Sequence, residues 1–235
     1  MLAGQTGYGA NGKQNFLFPL EDMWLTQGSW EYTYSHDGTY AMDFDGYQNG
    51  QFITHCPLYA PFDCKLVARW GSSSPSLVWE SLDDVNFIDG TTGRACIQIT
   101  HDDDALSYVI GTTRNQGDLL GHTGSLGATN DHVHIEAKKG TYDGYHQNSY
   151  GVWMLTNSTW LYNLMGVNDT NLVHDYYVNH QGQTIHYNWR DFQTNIPGPG
   201  PGPSPWSSRK SKFPWVLYSR KLRNINDWYF FSFDL

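Results

Sequence analysis

Polar and apolar residues alternate through residues 130–136, and this alternation predicts a short β-strand. His132, His134 and Glu136 would share one face of that strand, and the apolar residues between them would point into a core. The strand follows a glycine-rich stretch, residues 117–127, which favours turns. The sequence therefore predicts a rigid strand that presents two imidazoles and a carboxylate side by side.

Similar patterns predict further strands at residues 58–70, 95–100 and 105–110. The last two would form a hairpin whose turn is the acidic stretch at 101–104. Residues 71–92, with their clustered Ser and Asp, are predicted to be a surface loop. No apolar spacing of 3.6 residues continues long enough to predict a helix of several turns. We therefore expect a mainly β, antiparallel protein.

Composition supports this fold class and charge narrows the functions. The chain has 16 Tyr, 11 Phe, 10 Trp and 24 Gly among 235 residues, a balance that favours strands and turns. The net charge of −9 argues against nucleic-acid binding. The charge is uneven: residues 206–235 hold six Lys and Arg against two Asp, a net charge of +4, so the remainder carries −13.

Three cysteines, Cys56, Cys64 and Cys96, give no disulfide framework, and at least one of them must stay unpaired within a monomer. The first residues lack the basic and apolar regions of a signal peptide. No window is apolar enough for a membrane-spanning helix. We therefore expect no export signal and no transmembrane segment.

Shifts in composition divide the chain into five parts. Residues 1–30 are predicted to be an irregular segment packed on the core of the main domain, residues 31–140. Residues 141–195 are rich in aromatics and are predicted to form a β appendage; a patch of exposed aromatics that recognises sugars or peptides is the alternative. Residues 196–205 form a Pro/Gly linker. The basic tail, residues 206–235, could bind an anionic wall polymer or a membrane surface, contact another chain, or stay disordered.

Metal chemistry is one interpretation of the His-x-His strand, because two imidazoles so placed can share an ion. The alternative is a pair of surface histidines on an edge strand. Upstream, His36 precedes Asp43 by seven residues, and together they offer one nitrogen and one oxygen ligand. These two residues could equally be solvated flanks of an Asp-Gly hairpin turn.

Taken together, these motifs resemble the lysostaphin-type zinc metallopeptidases, which cut the peptide part of bacterial peptidoglycan. The resemblance covers about residues 30–140. It rests on the order of the motifs: His36, Asp43, Ala60-Pro61, Gly121-x-x-Gly124-x-x-Gly127 and His132-x-His134. The family implies an antiparallel β metallopeptidase domain, the duplicated hybrid motif.

Carried over residue by residue, the resemblance implies that His36, Asp43 and His134 bind one Zn²⁺. His132 would be the histidine that assists catalysis without binding the metal. Two histidines and one carboxylate leave a coordination position open, as in catalytic zinc sites. Glu136, on the same face of the strand, could orient a ligand from behind.

The chain departs from the family at two places. His36 and Asp43 are separated by six residues, where three are commonest. Ile110 stands where the family usually has a second catalytic histidine. His101 is the candidate substitute, although the predicted hairpin puts it about four residues from Ile110, or roughly 13 Å along the ladder. His122 is another possible stand-in.

The resemblance implies a zinc endopeptidase that hydrolyses peptide stems or cross-bridges of peptidoglycan. The expected setting is a phage lysin, made in the host cytoplasm and reaching the wall after membrane disruption, or a peptidase carried on a phage particle. Two alternatives remain: a weak or inactive wall-binding or tail protein on the same scaffold, which Ile110 would favour, and a peptidoglycan amidase.

Overall fold

The computed structural model describes residues 1–31, 34–72 and 74–192. Its strands are short, each two to seven residues long. They are β1 (Met23–Gln27), β2 (Met42–Phe44), β3 (Tyr47–Gln48), β4 (Gln51–Phe52), β5 (Pro57–Tyr59), β6 (Cys64–Trp70), β7 (Ser76–Ser81), β8 (Val85–Asn86), β9 (Thr92–Gly93), β10 (Ala95–Thr100), β11 (Thr113–Arg114), β12 (Leu119–His122), β13 (Val133–Lys139), β14 (Tyr145–Gln147), β15 (Trp153–Leu155), β16 (Leu172–His174), β17 (Tyr176–Val178) and β18 (Thr184–His186).

Eight of these strands form one sheet in the order β11-β6-β7-β10-β13-β2-β1-β16. Every pairing in it is antiparallel except that of β1 with β16. The helices found in the described parts of the chain are two 3₁₀ turns, Ala105–Ser107 and Leu161–Asn163. The prediction of a mainly β, antiparallel protein is confirmed.

Strand β13 follows the predicted alternation. Val133 and Ile135 are fully buried in the hydrophobic core. His134 and Glu136 lie on the opposite face, which is also buried, but among polar groups. Pairing with β10 sets Gln98 directly across from Glu136. The sheet therefore has an apolar face that stabilises the fold and a polar face on which the candidate site is built.

The sequence prediction for residues 71–92 was wrong. This stretch contains β7, which pairs with both β6 and β10 in the middle of the sheet. The polar clusters that suggested a loop belong to the turns on either side of β7. The strand itself is buried through Leu77, Val78 and Trp79, so it is a continuous apolar run rather than an alternating one.

The prediction of a strand at residues 105–110 was also wrong. Its first three residues form a 3₁₀ turn, and the chain then turns beside β6, where the Gly111 N–H donates a hydrogen bond to the Leu66 carbonyl at 2.8 Å. Within this turn Ile110 is exposed and Tyr108 packs on Trp79. The predicted strand at 58–70 is real but divided into β5 and β6 at the Pro61 turn.

Aromatic residues from both ends of the described chain meet in one core. Phe18, near the N-terminus, packs edge-on against Phe44 of β2 with ring centroids 5.0 Å apart. Trp189 contacts the same two rings. The segment before the first predicted domain is not wholly irregular, because it contributes β1 to the sheet. For Trp189 and the other buried aromatics after residue 140, packing is the role that the structure shows.

All three cysteines are buried and unpaired. Among the described residues, no helix has the length and apolar character needed to cross a membrane. The predicted linker at 196–205 and the basic tail at 206–235 lie outside the described residues.

Candidate functional site

Strand pairing brings the predicted metal ligands together. The register of β13 on β2 sets His134 directly across from Asp43, and His134 Nδ1 lies 3.0 Å from Asp43 Oδ1. His36, in the turn before β2, places its Nε2 3.1 Å from the same oxygen. All three side chains are buried. Two nitrogens and one carboxylate oxygen thus converge on one point.

A backbone contact fixes which nitrogen of His36 faces that point. Its Nδ1–H donates to the Gly28 carbonyl at 2.7 Å, which leaves Nε2 as the free lone pair. Residue 28 must be glycine for this approach. A Cβ atom there would lie 2.3 Å from Cε1 of Tyr177. Tyr177, in the aromatic segment after residue 140, therefore restricts residue 28 to glycine beside the site.

The unsatisfied atoms of the site fit a bound cation. His36 Nε2 and Asp43 Oδ1 are buried and neither has a hydrogen-bond partner, although they face each other at 3.1 Å. Burying polar atoms without partners is costly unless something else satisfies them. Two imidazoles and a carboxylate are the donor set of catalytic zinc sites. The buried His36–Asp43–His134 group could therefore hold a metal ion.

The pKa values of these groups without a metal also indicate a site that fits a cation. Burial disfavours the charged forms of Asp43 and His134, but their contact outweighs it. Asp43, together with Glu136, raises the pKa of His134 to about 10. The imidazoles of His36 and His134 hold the pKa of Asp43 well below its usual range. The site is therefore built for a positive charge, which a proton or a metal ion can supply.

Glu136 supports His134 from behind. It is fully buried, and its Oε1 lies 3.5 Å from His134 Nε2. Its other oxygen accepts a hydrogen bond from the Thr39 hydroxyl at 2.6 Å, and Gln98 donates to Oε1 at 3.3 Å. Such a carboxylate orients a ligating imidazole and raises its basicity. Glu136 thus lies within reach of His134, on the strand face where the sequence analysis expected it.

Replacing Glu136 with glutamine should weaken zinc binding on the order of 10- to 100-fold, the usual cost of losing such a support. The amide keeps the size of the side chain but removes the charge that stabilises the imidazole. Competition with a chromophoric chelator would measure the dissociation constant. An unchanged constant would show that Glu136 only fills space.

His132 and His101 lie beside the His36–Asp43–His134 group, with their own ring centroids 4.7 Å apart. The Nδ1–H of His132 donates to the Asn130 carbonyl at 2.9 Å, and that of His101 to the Leu126 carbonyl at 2.7 Å. Both therefore keep a free Nε2 lone pair. His132 Nε2 lies 3.7 Å from Asp43 Oδ2. Burial, followed by the charge of His134, lowers the pKa of His101 to about 4, so its ring is neutral at pH 7.

The position of His101 corrects one expectation. The predicted hairpin separated it from the place of the second histidine, but residues 105–110 do not form that strand. His101 instead follows the end of β10 with a φ of 69°, a conformation uncommon outside glycine. This turn directs the ring toward His132. Ile110 is exposed and does not line the cleft that contains these histidines.

A buried carboxylate holds this turn in place. Asp102, next to His101, accepts hydrogen bonds from the backbone N–H groups of His122 at 3.1 Å and Asp104 at 2.8 Å. The carboxyl is almost completely inaccessible to water. Burial raises its pKa from 3.8 to about 6, although the two backbone donors oppose the shift.

Replacing Asp102 with asparagine should change how stability depends on pH. The folded wild type binds this proton more tightly than the unfolded chain. The contribution of Asp102 to the free energy of unfolding should therefore fall as pH rises through the interval from the unfolded to the folded pKa, by about 3 kcal/mol. Asparagine can keep both accepted hydrogen bonds but has no such titration. Denaturant unfolding from pH 4 to 7 would measure both proteins, and parallel curves would contradict the assignment.

A second cluster of possible ligands, His55, Asp104 and His122, lies nearby. The sequence singled out only His122 of these three as a candidate. The rings of His55 and His122 stack at 3.9 Å with planes 10° apart, and His122 Nδ1 lies 2.6 Å from Asp104 Oδ2. Parallel rings direct their lone pairs side by side rather than toward one ion. The buried cluster is therefore the better candidate centre.

The site opens into a cleft of about 760 Å³. Asp43, His101, His132 and His134 line it together with other polar residues and the Trp153 side chain. Two more carboxylates, Asp45 and Asp131, also line it, whereas no Lys or Arg side chain does among the described residues. A ligand of several residues could reach the four central side chains from solvent.

Comparison with known proteins finds a phage protein among the relatives of this chain. No protein-family model matches the chain. Morphogenesis protein 1 of Bacillus phage B103 is 37% identical to it over 142 residues, which are 60% of this chain and 37% of that protein. The chain thus spans little more than a third of the length of this curated relative.

Solved structures resemble the fold only weakly. A zinc-containing peptidase from Vibrio cholerae gives a TM-score of 0.37 at 18% identity, over 56% of this chain and 42% of the peptidase. Lysostaphin gives 0.37 at 15% identity, over 58% and 65% of the two chains. A chain of the SpoIIQ–SpoIIIAH pore-forming complex gives 0.36 at 18% identity, over 60% and 88%. These scores are too low for the likeness to bear on function.

Proposed function

We propose that this chain is a zinc-dependent endopeptidase that hydrolyses peptide bonds in bacterial peptidoglycan. The observation that carries the proposal is the convergence of His36, Asp43 and His134 on one buried point. Asp43 Oδ1 lies 3.1 Å from His36 Nε2 and 3.0 Å from His134 Nδ1. Two further histidines stand beside it in an open cleft. The order of these residues along the chain is that of the lysostaphin-type peptidases.

Zinc held by His36 Nε2, Asp43 Oδ1 and His134 Nδ1 would supply Lewis acidity that activates water near neutral pH and polarises the scissile carbonyl. The chain supplies the orientation of that ligand set. The Gly28 carbonyl fixes the His36 tautomer, and Glu136 holds His134 from its far side.

His132 and His101 would manage the protons of the reaction. Each has its Nδ1–H committed to a backbone carbonyl, so each can accept a proton only at Nε2. Burial, followed by the neighbouring imidazole charges, lowers the pKa of His101 to about 4, so a charge on this ring, 4.7 Å from that of His132, is disfavoured. One imidazole can therefore act as general base and take the proton that the attacking water loses, and that same proton can pass to the leaving amine directly or through the second ring.

The proposed setting is a phage particle, where a wall-cutting enzyme would open a path through peptidoglycan. It is supported by the 37% identity to a morphogenesis protein of Bacillus phage B103. The same relationship favours a second function, a structural component of the particle whose zinc site is inactive. Cleavage of the sugar–peptide amide, rather than of a bond within the peptide, is an outcome that the test below distinguishes.

Release of free amino groups from purified peptidoglycan, with and without a zinc chelator, tests the proposal. We expect release that the chelator abolishes and added zinc restores, with the new amine on an amino acid of the stem or cross-bridge. A new amine on the first stem residue, with the sugar released bearing the free carboxylate, would identify an amidase. No release by folded, zinc-loaded protein from several wall types would favour the structural function.

A further inference from the structure

Four exposed aromatic rings line the cleft or contact a ring that lines it. Tyr34, Tyr145, Tyr150 and Trp153, here called the aromatic wall, are 65%, 44%, 55% and 40% exposed, respectively. Tyr34 and Trp153 line the same cleft as Asp43 and His134. The wall is thus continuous with the candidate site and is not a separate patch.

The wall is held in place by its supports. Tyr145 of β14 stacks on the buried Trp70 with ring centroids 4.7 Å apart, and Trp153 of β15 stands edge-on to Tyr145 at 4.8 Å. These contacts fix the angles of the two rings while leaving part of each facing solvent. Preorganised rings bind a ligand without losing side-chain entropy at that moment.

Asn148, between β14 and β15, ties the two halves of the wall together. Its Oδ1 accepts hydrogen bonds from the backbone N–H groups of Tyr150 and Val152, both at 3.0 Å. Its Nδ2 donates to the Tyr34 carbonyl at 2.9 Å. The loop that carries His36 is therefore bound to the hairpin, and the rings of Tyr34 and Tyr150 lie 5.8 Å apart.

Charge restricts what can lie against the wall. The described residues lining the cleft include three carboxylates, on Asp43, Asp45 and Asp131, and no Lys or Arg side chain. Away from the His36–Asp43–His134 group, Asp45 and Asp131 would repel a ligand segment rich in carboxylates. A neutral ring with one apolar face suits exposed aromatic faces, since such faces bind flat apolar surfaces of C–H groups. The hydroxyl and amide groups of a sugar could then face the neutral polar side chains of the rim.

We propose that the aromatic wall binds a neutral, N-acetylated sugar ring of the glycan strand while the peptide attached to that strand lies over the zinc site. This inference rests on the proposed function, because it names the part of the same substrate that the wall contacts. It makes the enzyme one that prefers glycan-bearing peptidoglycan to free peptide.

The test measures the activity of the full-length, zinc-loaded protein on two substrates. One is a glycan-bearing muropeptide; the other is the same cross-linked peptide freed of sugar. In the Trp153→Ala variant, the ratio of kcat/KM for the first over the second should fall on the order of tenfold, the effect of losing one aromatic contact. Trp153→Phe should restore most of the ratio. Tyr8→Ala, which removes a comparably exposed ring outside this cleft, should leave both rates unchanged.

A binding measurement separates the wall from catalysis. Chitotetraose should quench the tryptophan fluorescence of the wild-type protein with zinc and without zinc alike. The Trp153→Ala change should abolish this response. If neither substrate is cut but chitotetraose still binds through Trp153, the proposed hydrolysis fails and the wall stands. A ratio that does not move in a folded Trp153→Ala variant, or no binding of chitotetraose to an active enzyme, would overturn the sugar site.

Discussion

Replacing Asp43 with asparagine should remove zinc and lower the hydrolysis of peptidoglycan about 1000-fold. The expected size follows from the Lewis acidity of a bound metal, worth several kcal/mol of barrier, at tenfold per 1.36 kcal/mol. Asp43 is the residue to change because its Oδ1 faces both His36 and His134. Without that charge, two imidazoles remain around a point that no longer attracts a dication.

Zinc content measured by atomic absorption after dialysis, together with the rate of amine release, would check this result. A thermal readout independent of activity is also available, since a ligand that binds only the folded state raises the melting temperature. Zinc should raise that temperature for the wild type and not for the Asp43→Asn variant.

Asp45→Asn is the matched control. Asp45 lies two residues further along the chain and lines the same cleft, but it is not part of the buried His–Asp–His group. The control should keep its zinc and lose little activity. An Asp43→Asn variant that bound zinc as tightly as the wild type would move the metal to other residues, with the His55–Asp104–His122 cluster the first to test.

The alternation at residues 130–136 was sufficient to predict the strand and the faces of His134 and Glu136, because period-two burial is a local property of the chain. The pairing of Asp43 with His134 could not be derived in the same way. It depends on the register of β13 against β2, two strands about ninety residues apart. The family resemblance, which rests on the order of the motifs along the chain, supplied the association of Asp43 with His134 that the local pattern lacked.

Two failures share a physical cause. Strand β7 was missed because only a few apolar residues separate its Ser-rich and Asp-rich turns, and a strand buried on both faces shows no alternation. The position of His101 was missed because residues 105–110 are apolar enough for a strand, yet have no neighbouring strand to pair with. Tertiary pairing decided both, and propensity did not. The left-handed turn at His101 carries no signal in the sequence.

Replacing His132 with alanine should leave zinc bound but lower turnover by roughly 10²- to 10⁴-fold, the range for loss of a general acid–base group. The His132 side chain is 17% exposed and lies near Asp43 without belonging to the buried His36–Asp43–His134 group, so its loss should spare the metal. His101→Ala should have a smaller effect of the same kind. Because the two rings stand 4.7 Å apart and would share one proton, the double variant should be little worse than His132→Ala alone. Rates and zinc content of all three variants would decide this. Full turnover with zinc bound in His132→Ala would remove this residue from the chemistry, and independent, multiplying losses would show that the two histidines act on different steps.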